Sequence, residues 1–401
     1  MKLVKLSLAA VVAAGSFSFA NAVALDEAIQ NVDLSGYLRY RYDSKTTKRG
    51  DAKVRNDAQV HKYKAKLNFA ADIADNFKAN VGLLYGETGE RSWKNTKDDE
   101  ARANVGEGFA VQEAYLSYTN FDTTFQFGRL LVGSIWTDDL YANGLKVLNN
   151  SVEGLTLAAY VFDNYSDDED FVFNDDKYKD IRDNNIYGIA AIGSFAPVDA
   201  QLWVAYMNKV GTFYALDLAA NLGDKDDFAY RIHAQYAGNS LKGDLKDSLG
   251  AANGNFYGIE AGFDAFGADF NVGYIGYGKK GKLSVSSIED QGQLMTAGEV
   301  AMDYKNTKYT ASVGKKDFVF GTLGYTYADV RFGVDLVYGT NNNDKDVKEK
   351  YFEVVPRLSY KYSDKLSFSS FYSYTTIKNF DWKDGDKEKV KKIRLEAKYT
   401  F

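Results

Sequence analysis

From Val32 onward, apolar and polar residues alternate in runs of about ten, separated by connections rich in Asp, Asn, Gly and Lys. In Val32–Asp43, Leu34, Leu38, Tyr40 and Tyr42 share one face while Ser35, Arg39 and Arg41 take the other. This is the period of a β-strand with one apolar face. The same alternation marks Tyr63–Ala71, Phe77–Tyr85, Leu202–Tyr206, Tyr230–Tyr236, Tyr257–Asp264, Val330–Tyr338 and Leu366–Tyr374. Tight links at Ala196-Pro197-Val198, Gly267-Ala268 and Ser363-Asp364-Lys365 alternate with long polar or charged ones at Gly86–Gly108, Asn164–Asn184, Gly238–Asn255, Lys279–Lys316 and Lys378–Glu388. Short turns on one side and long loops on the other, with Tyr and Phe at strand ends, predict a transmembrane antiparallel up-and-down β-barrel of about eighteen strands.

The final segment, Val390–Phe401, sharpens that expectation. Ile393, Leu395, Ala397, Tyr399 and Phe401 point one way, and Lys392, Arg394, Glu396, Lys398 and Thr400 the other. An amphipathic strand ending on an aromatic residue is unusual for a chain end, which ordinarily frays. In a barrel it must pair with the first strand so that no backbone edge faces lipid. Tyr399 and Phe401 therefore read as the barrel-closing C-terminal signal, the feature that barrel-assembly machinery would meet.

Composition agrees with a single architecture. The 401 residues include 30 Tyr and 26 Phe but only 2 Pro and no Cys, so strand formers abound and neither disulfides nor thiolate metal sites are available. Residues 1–22 read as an export signal: Lys2 and Lys5, then an apolar and small-residue stretch from Leu6 to Phe19, then an Ala20-Asn21-Ala22 cleavage site. The barrel domain is expected to span 23–401. Loss of the two lysines takes the net charge from −6 to about −8, which argues against nucleic acid as a partner. No stretch after residue 22 approaches the ~18 apolar residues of a membrane helix. The expected location is the outer membrane of a Gram-negative bacterium.

Inward charges give candidate chemistry. Alternation assigns Arg39 and Arg41 to the lumen from the first strand, Lys62, Lys64 and Lys66 from the second, and Lys392, Arg394 and Lys398 from the last. Closure makes these strands neighbours, so the eight basic side chains form one wall. The segment LLVGSIWTDDLYA, residues 130–142, is too apolar for a free loop. It is expected to fold into the barrel, with Ile135 and Trp136 on the wall and Asp138 and Asp139 as the acidic side of a constriction opposite the basic one. Such a pore passes ions and small hydrophilic solutes passively.

Enzymatic signals are thin. His61 and His233 are the only histidines, without GxSxG, HExxH or zinc-ligand spacing. His233, on an inward face, is the one candidate base for a barrel enzyme. The GxGxxG match at Gly276–Gly281 runs from a strand into a polar loop rather than a helix, and is read as chance. The rival classes are an adhesin or structural barrel and, less favoured, that enzyme.

The segments MKLVKLSL, VDLSGYLRYRYD, HKYKAKLNFAADIADNFKANV, SIWTDD, LNNSVEGLTLAAY, QLWVAY, SSIEDQGQL and VDLVYG resemble the Campylobacter-type major outer membrane porin family almost end to end. The resemblance implies an eighteen-stranded, homotrimeric general porin with an inward third long loop and calcium near the constriction. Its ligands would come from Asp138, Asp139 and the Glu289-Asp290 pair. The stretch after Asp139 is shorter than the family's usual form, and one expected acidic ligand falls where Tyr141 stands.

Overall fold

The computed structural model describes residues 32–50, 58–86, 101–103, 109–163, 165, 184–224 and 228–401. The export signal, the 51–57 connection and nearly all of the Gly86–Gly108 and Asn164–Asn184 connections lie outside them. The strands are β1 (Asp33–Arg49), β2 (Ala58–Ala74), β3 (Phe77–Tyr85), β4 (Ala101–Ala103), β5 (Phe109–Asn120), β6 (Thr123–Leu131), β7 (Tyr141–Val152), β8 (Leu155–Asp163), β9 (Ile186–Phe195) and β10 (Val198–Met207). They continue as β11 (Gly211–Asp224), β12 (Phe228–Leu241), β13 (Asn255–Ala265), β14 (Ala268–Ser284), β15 (Ser312–Tyr327), β16 (Val330–Asn342), β17 (Glu349–Lys361), β18 (Leu366–Lys378) and β19 (Lys387–Thr400).

β4 is a three-residue segment lying parallel to Gln59–His61 of β2, beyond the point where β3 stops. The other strands each pair antiparallel with their neighbours, β3 going directly to β5. β19 returns to β1, with Arg39 opposite Lys398, Arg41 opposite Glu396 and Asp43 opposite Arg394. The chain end is tied into the seam by reciprocal backbone hydrogen bonds of 3.1 Å between Gly36 and Phe401. The result is the expected closed, eighteen-stranded antiparallel barrel.

Alternation decides which side chains meet lipid. In β10, Leu202 is 55% exposed whereas Trp203, next in sequence, is 2% exposed and points inward. Leu34, Leu38, Tyr40, Ile393, Leu395 and Tyr399 form the outward band across the seam. Several strands outrun their alternating stretch. β1 continues through Ser44–Arg49, which pairs with Glu388–Ile393 of β19. A 17-residue strand is roughly 56 Å long at ~3.3 Å per residue, against an apolar band of ~25 Å, so the polar ends project beyond the membrane as paired strand. Polar residues are costless there, which is why the sequence pattern reads them as loop.

Two connections differ from their polar appearance. In Gly238–Asn255, β12 runs on to Leu241 and a short helix, Gly243–Leu249, follows with Leu245 buried and Gly250 in the left-handed conformation at its end. The connection 285–311 carries buried Ile288, Leu294, Met295, Val300, Met302 and Tyr309. All of these but Val300 join Trp136 and the inward Trp203, Phe213, Phe256, Tyr277 and Phe318 in one apolar cluster along β10–β15. Part of the barrel interior is thus a packed core.

Candidate functional site: the inner wall and two packed connections

The 132–140 connection is seated by Trp136, whose ring lies edge-on to Phe213 at 5.9 Å and to Trp203 at 6.5 Å. Phe213 and Trp203 are the buried members of their strands' alternation, and Trp136 packs against them. The 285–311 connection then lies on it. Ile288 and Glu289 donate their N–H groups to the Trp136 carbonyl at 3.0 and 3.1 Å, and Gln293 donates to Ile135 at 2.8 Å. Gly292 has φ +58° and a Cβ there would stand 2.6 Å from the Trp136 carbonyl carbon, so this close crossing requires glycine. From β12, Gln235 donates to the Gln293 carbonyl at 3.1 Å and accepts from the Met295 N–H at 2.5 Å.

Glu289 reaches back to the first connection. Its carboxyl oxygens accept the N–H groups of Asp138 at 2.6 Å and Asp139 at 3.3 Å. Burial, reinforced by the neighbouring Asp139 carboxyl, pushes Glu289 up to about 8. Three further glutamates hold the 285–311 connection to the wall. Glu353 of β17, fully buried, accepts N–H groups from Glu299, Val300 and Ala301 at 3.0, 3.2 and 2.8 Å and the Ser373 hydroxyl at 2.6 Å. Glu349 accepts from Asn306 at 2.8 Å, and Glu388 from the Tyr304 hydroxyl. None of the three carries a sequence signal beyond its inward register.

The eight basic residues assigned to one wall do come together on β1, β2 and β19. They are not a one-signed surface. Arg41 pairs with Glu396 at 2.6 Å, Arg394 with Asp43 at 2.6 and 3.1 Å, and Arg39 lies 3.9 Å from Glu396. Lys66 donates to Glu113 at 2.5 Å and to the Tyr141 hydroxyl at 2.9 Å. Lys392 lies 3.5 Å from Glu299, Lys398 sits over the Tyr37 ring at 4.7 Å, and Lys62 stands opposite Arg41 in register. Asp43 and Glu396 share the inward alternation and were legible as counter-charges; Glu113 and Glu299 come from elsewhere in the chain. Lys64 meets Asp139 at 3.6 Å, which brings one of the two acidic residues to the basic wall. Asp138 contributes its N–H to Glu289.

Asp138, Asp139 and Glu289 are neighbours but do not assemble a calcium cage. Both Glu289 oxygens are engaged by amides, and among the described residues no three His, Cys, Asp or Glu converge at metal-holding distance.

A cavity of about 670 Å³ opens beside the packed connections, bounded by Ile135, Trp203, Asp217, Arg231, His233 and Gln293 among others. His233 Nε2 lies 2.8 Å from Asp217, and its Nδ1 lies 3.5 Å from Arg231. The ring is held between an acid and a guanidinium. His61 lies on the other face, with Nδ1 2.9 Å from the Tyr40 hydroxyl. Gly276–Gly281 lies wholly within β14, with no helix behind it.

Among solved structures, the Acinetobacter baumannii OccAB3 barrel superposes with a TM-score of 0.70 at 12% identity, covering 93% of this chain and 99% of that one. A BenF-like porin from Pseudomonas fluorescens Pf-5 gives 0.69 at 15% identity, with 93% and 99% covered. OprD of Pseudomonas aeruginosa gives 0.66 at 12% identity, with 96% and 97% covered. Identities this low speak to the fold alone. No curated protein sequence matches the chain. The family model described as Campylobacter major outer membrane protein matches residues 1–399, and with the closed eighteen-stranded barrel it establishes the chain as a member of that family, a β-barrel of the outer membrane.

Proposed function

We propose that the protein is a general diffusion porin, passing ions and small hydrophilic solutes through a water-filled path with a charged constriction and no covalent chemistry. The observation that carries this reading is the distribution of ionic side chains on the inner wall. Arg41, Arg331, Arg357, Arg394, Asp43, Asp269, Asp335 and Glu396 face inward and remain partly accessible to water. A barrel serving only as scaffold gains nothing from an ionic, wetted interior, whereas a solute path requires one. The 132–140 connection is read as narrowing the path, with Asp139 brought against Lys64 of the basic wall at 3.6 Å. Opposed charges in a confined, low-dielectric opening sort solutes by sign and by size.

Planar-bilayer recording tests the proposal. Purified, folded protein should give discrete current steps, and folded protein that gives none overturns it. A homotrimer belongs to the same reading through the family resemblance, and the native mass in detergent tests it: the mass of one barrel refutes it. Net negative charge suggests a weak cation preference, which the reversal potential under a salt gradient measures.

A further inference from the structure

Glu299 departs from the strand-to-strand pairing of the wall, because it arrives from the 285–311 connection. Its Oε1 accepts from Arg357 Nη1 at 2.7 Å, and its Oε2 lies 3.5 Å from Lys392. Arg357 also holds Asp335, Nε to Oδ2, at 2.6 Å. Around these groups Arg357, Arg394 and Lys392 all lie 5.4–5.5 Å from the centre of the inward Phe371 ring. Arg394 is matched by Asp43 on the adjacent strand. Lys392 and the second half of the Arg357 guanidinium are instead matched by a carboxylate that the barrel itself does not carry. The opening here, about 250 Å³, is bounded by Arg41, Arg331, Arg357, Arg394, Glu396 and Glu299; each of its arginines has a strand carboxylate, so without Glu299 the unmatched charge would be the Lys392 ammonium beside Arg357.

We propose that Glu299 is a selectivity-determining residue of the channel, a tethered counter-anion that masks the Arg357–Lys392 patch from permeating anions, and that buried Glu353 positions it. The proposal rests on the porin reading above. The positioning follows from the backbone. Glu353 grips the N–H groups of residues 299, 300 and 301 with its two oxygens, fixing the chain at the residue that bears the masking carboxylate. The neighbouring Gly298 has φ +73°, and a Cβ on it would lie 2.3 Å from Glu353 Oε2, so the carboxylate sits hard against the turn. A carboxylate facing three convergent amides is a strong local hold. Its loss would free Glu299 from its pairing without removing any charge from Glu299 itself.

The test is a reversal potential for chloride salts under a low-ionic-strength gradient, on wild type, Glu299→Gln, Glu353→Ala and the double variant, with heat-modifiable migration as the check on folding. Glu299→Gln should move the cation-to-anion permeability ratio toward anions by roughly twofold or more, the scale of losing a unit charge beside the path, and the shift should fade at high salt. Glu353→Ala should move it in the same direction, and the double variant should go no further than the larger single shift. A purely structural Glu353 would instead lower the temperature of heat modification and leave the ratio unchanged. Arg357→Gln should move the ratio the opposite way. Folded Glu299→Gln channels with wild-type reversal potential overturn the proposal, whereas absence of current from wild type overturns the porin reading beneath it.

Discussion

Trp136→Ala isolates what holds the 132–140 connection against Trp203 and Phe213. Trp136 is fully buried against Trp203 and Phe213, and its Nε1 has no hydrogen-bond partner, so truncation removes packing alone. An aromatic side chain of this size buries about 150–250 Å², which at ~25 cal/mol/Å² corresponds to roughly 4–6 kcal/mol. Core Trp-to-Ala changes cost about 3–5 kcal/mol. The strand ladders do not depend on Trp136, so the loss falls on docking of the two connections rather than on the barrel. At tenfold per ~1.4 kcal/mol, a loss of ~4 kcal/mol raises the undocked fraction about a thousandfold. Single-channel recording should then show larger and noisier steps from protein whose heat-modifiable migration is unchanged. Wild-type step size and noise in folded Trp136→Ala barrels would refute the reasoning.

Other consequences can be checked in the same preparations. Glu289 is pushed up from 4.5 to about 8, so its neutral form is the one favoured in the fold; the resulting stabilisation, no more than about 5 kcal/mol, is complete below pH 4.5 and lost as pH rises through about 8. Docking monitored by current noise should therefore weaken as pH rises from about 4.5 to about 8 in wild type but not in Glu289→Gln, and a flat wild-type profile would refute this. Arg394→Ala removes a two-point hold on Asp43, but Arg41 and Lys62 remain beside that carboxylate. A loss of about 1–2 kcal/mol at the seam is expected by denaturant titration, with much of it recovered as coupling in a double-mutant cycle with Asp43→Asn. Calcium added after chelation should leave the melting temperature unchanged, because the Glu289 oxygens are already engaged by amides; a rise of several degrees would show that the connection rearranges to make a ligand set.

What was legible in the sequence is what period two controls. The outward band, the inward basic positions and the closure of Val390–Phe401 onto the first strand all follow from alternation, because a one-residue slip would turn every lipid-facing side chain into the lumen. Trp136 and Ile135 were legible because apolar residues in a polar setting need cover. The 285–311 connection was missed although Ile288, Leu294, Met295, Val300 and Met302 gave a similar signal, since its flanking lysines and Glu289-Asp290 suggested an exposed loop. Glu349, Glu353 and Glu388 were not legible at all. A buried glutamate whose partners are backbone amides or side chains of a distant segment has no local pattern, only a tertiary one. The basic residues share the inward register of β1, β2 and β19, but the charge balance there depends on Glu113 and Glu299, whose contacts with Lys66 and Lys392 no strand register announces.

The seam between β1 and β19 also governs the order of events in folding. Arg41–Glu396 and Arg394–Asp43 join residues 355 and 351 apart in sequence, so these contacts form only when nearly the whole polypeptide is in place. Every other strand-to-strand pairing among the described residues joins consecutive strands or, for β3–β5 and β2–β4, the next strand but one. Until the last strand docks, the growing sheet carries two open edges, one at each end, with unsatisfied donors and acceptors. Ring closure thus carries the largest sequence separation of any pairing in the wall, and with it the largest loop-closure entropy.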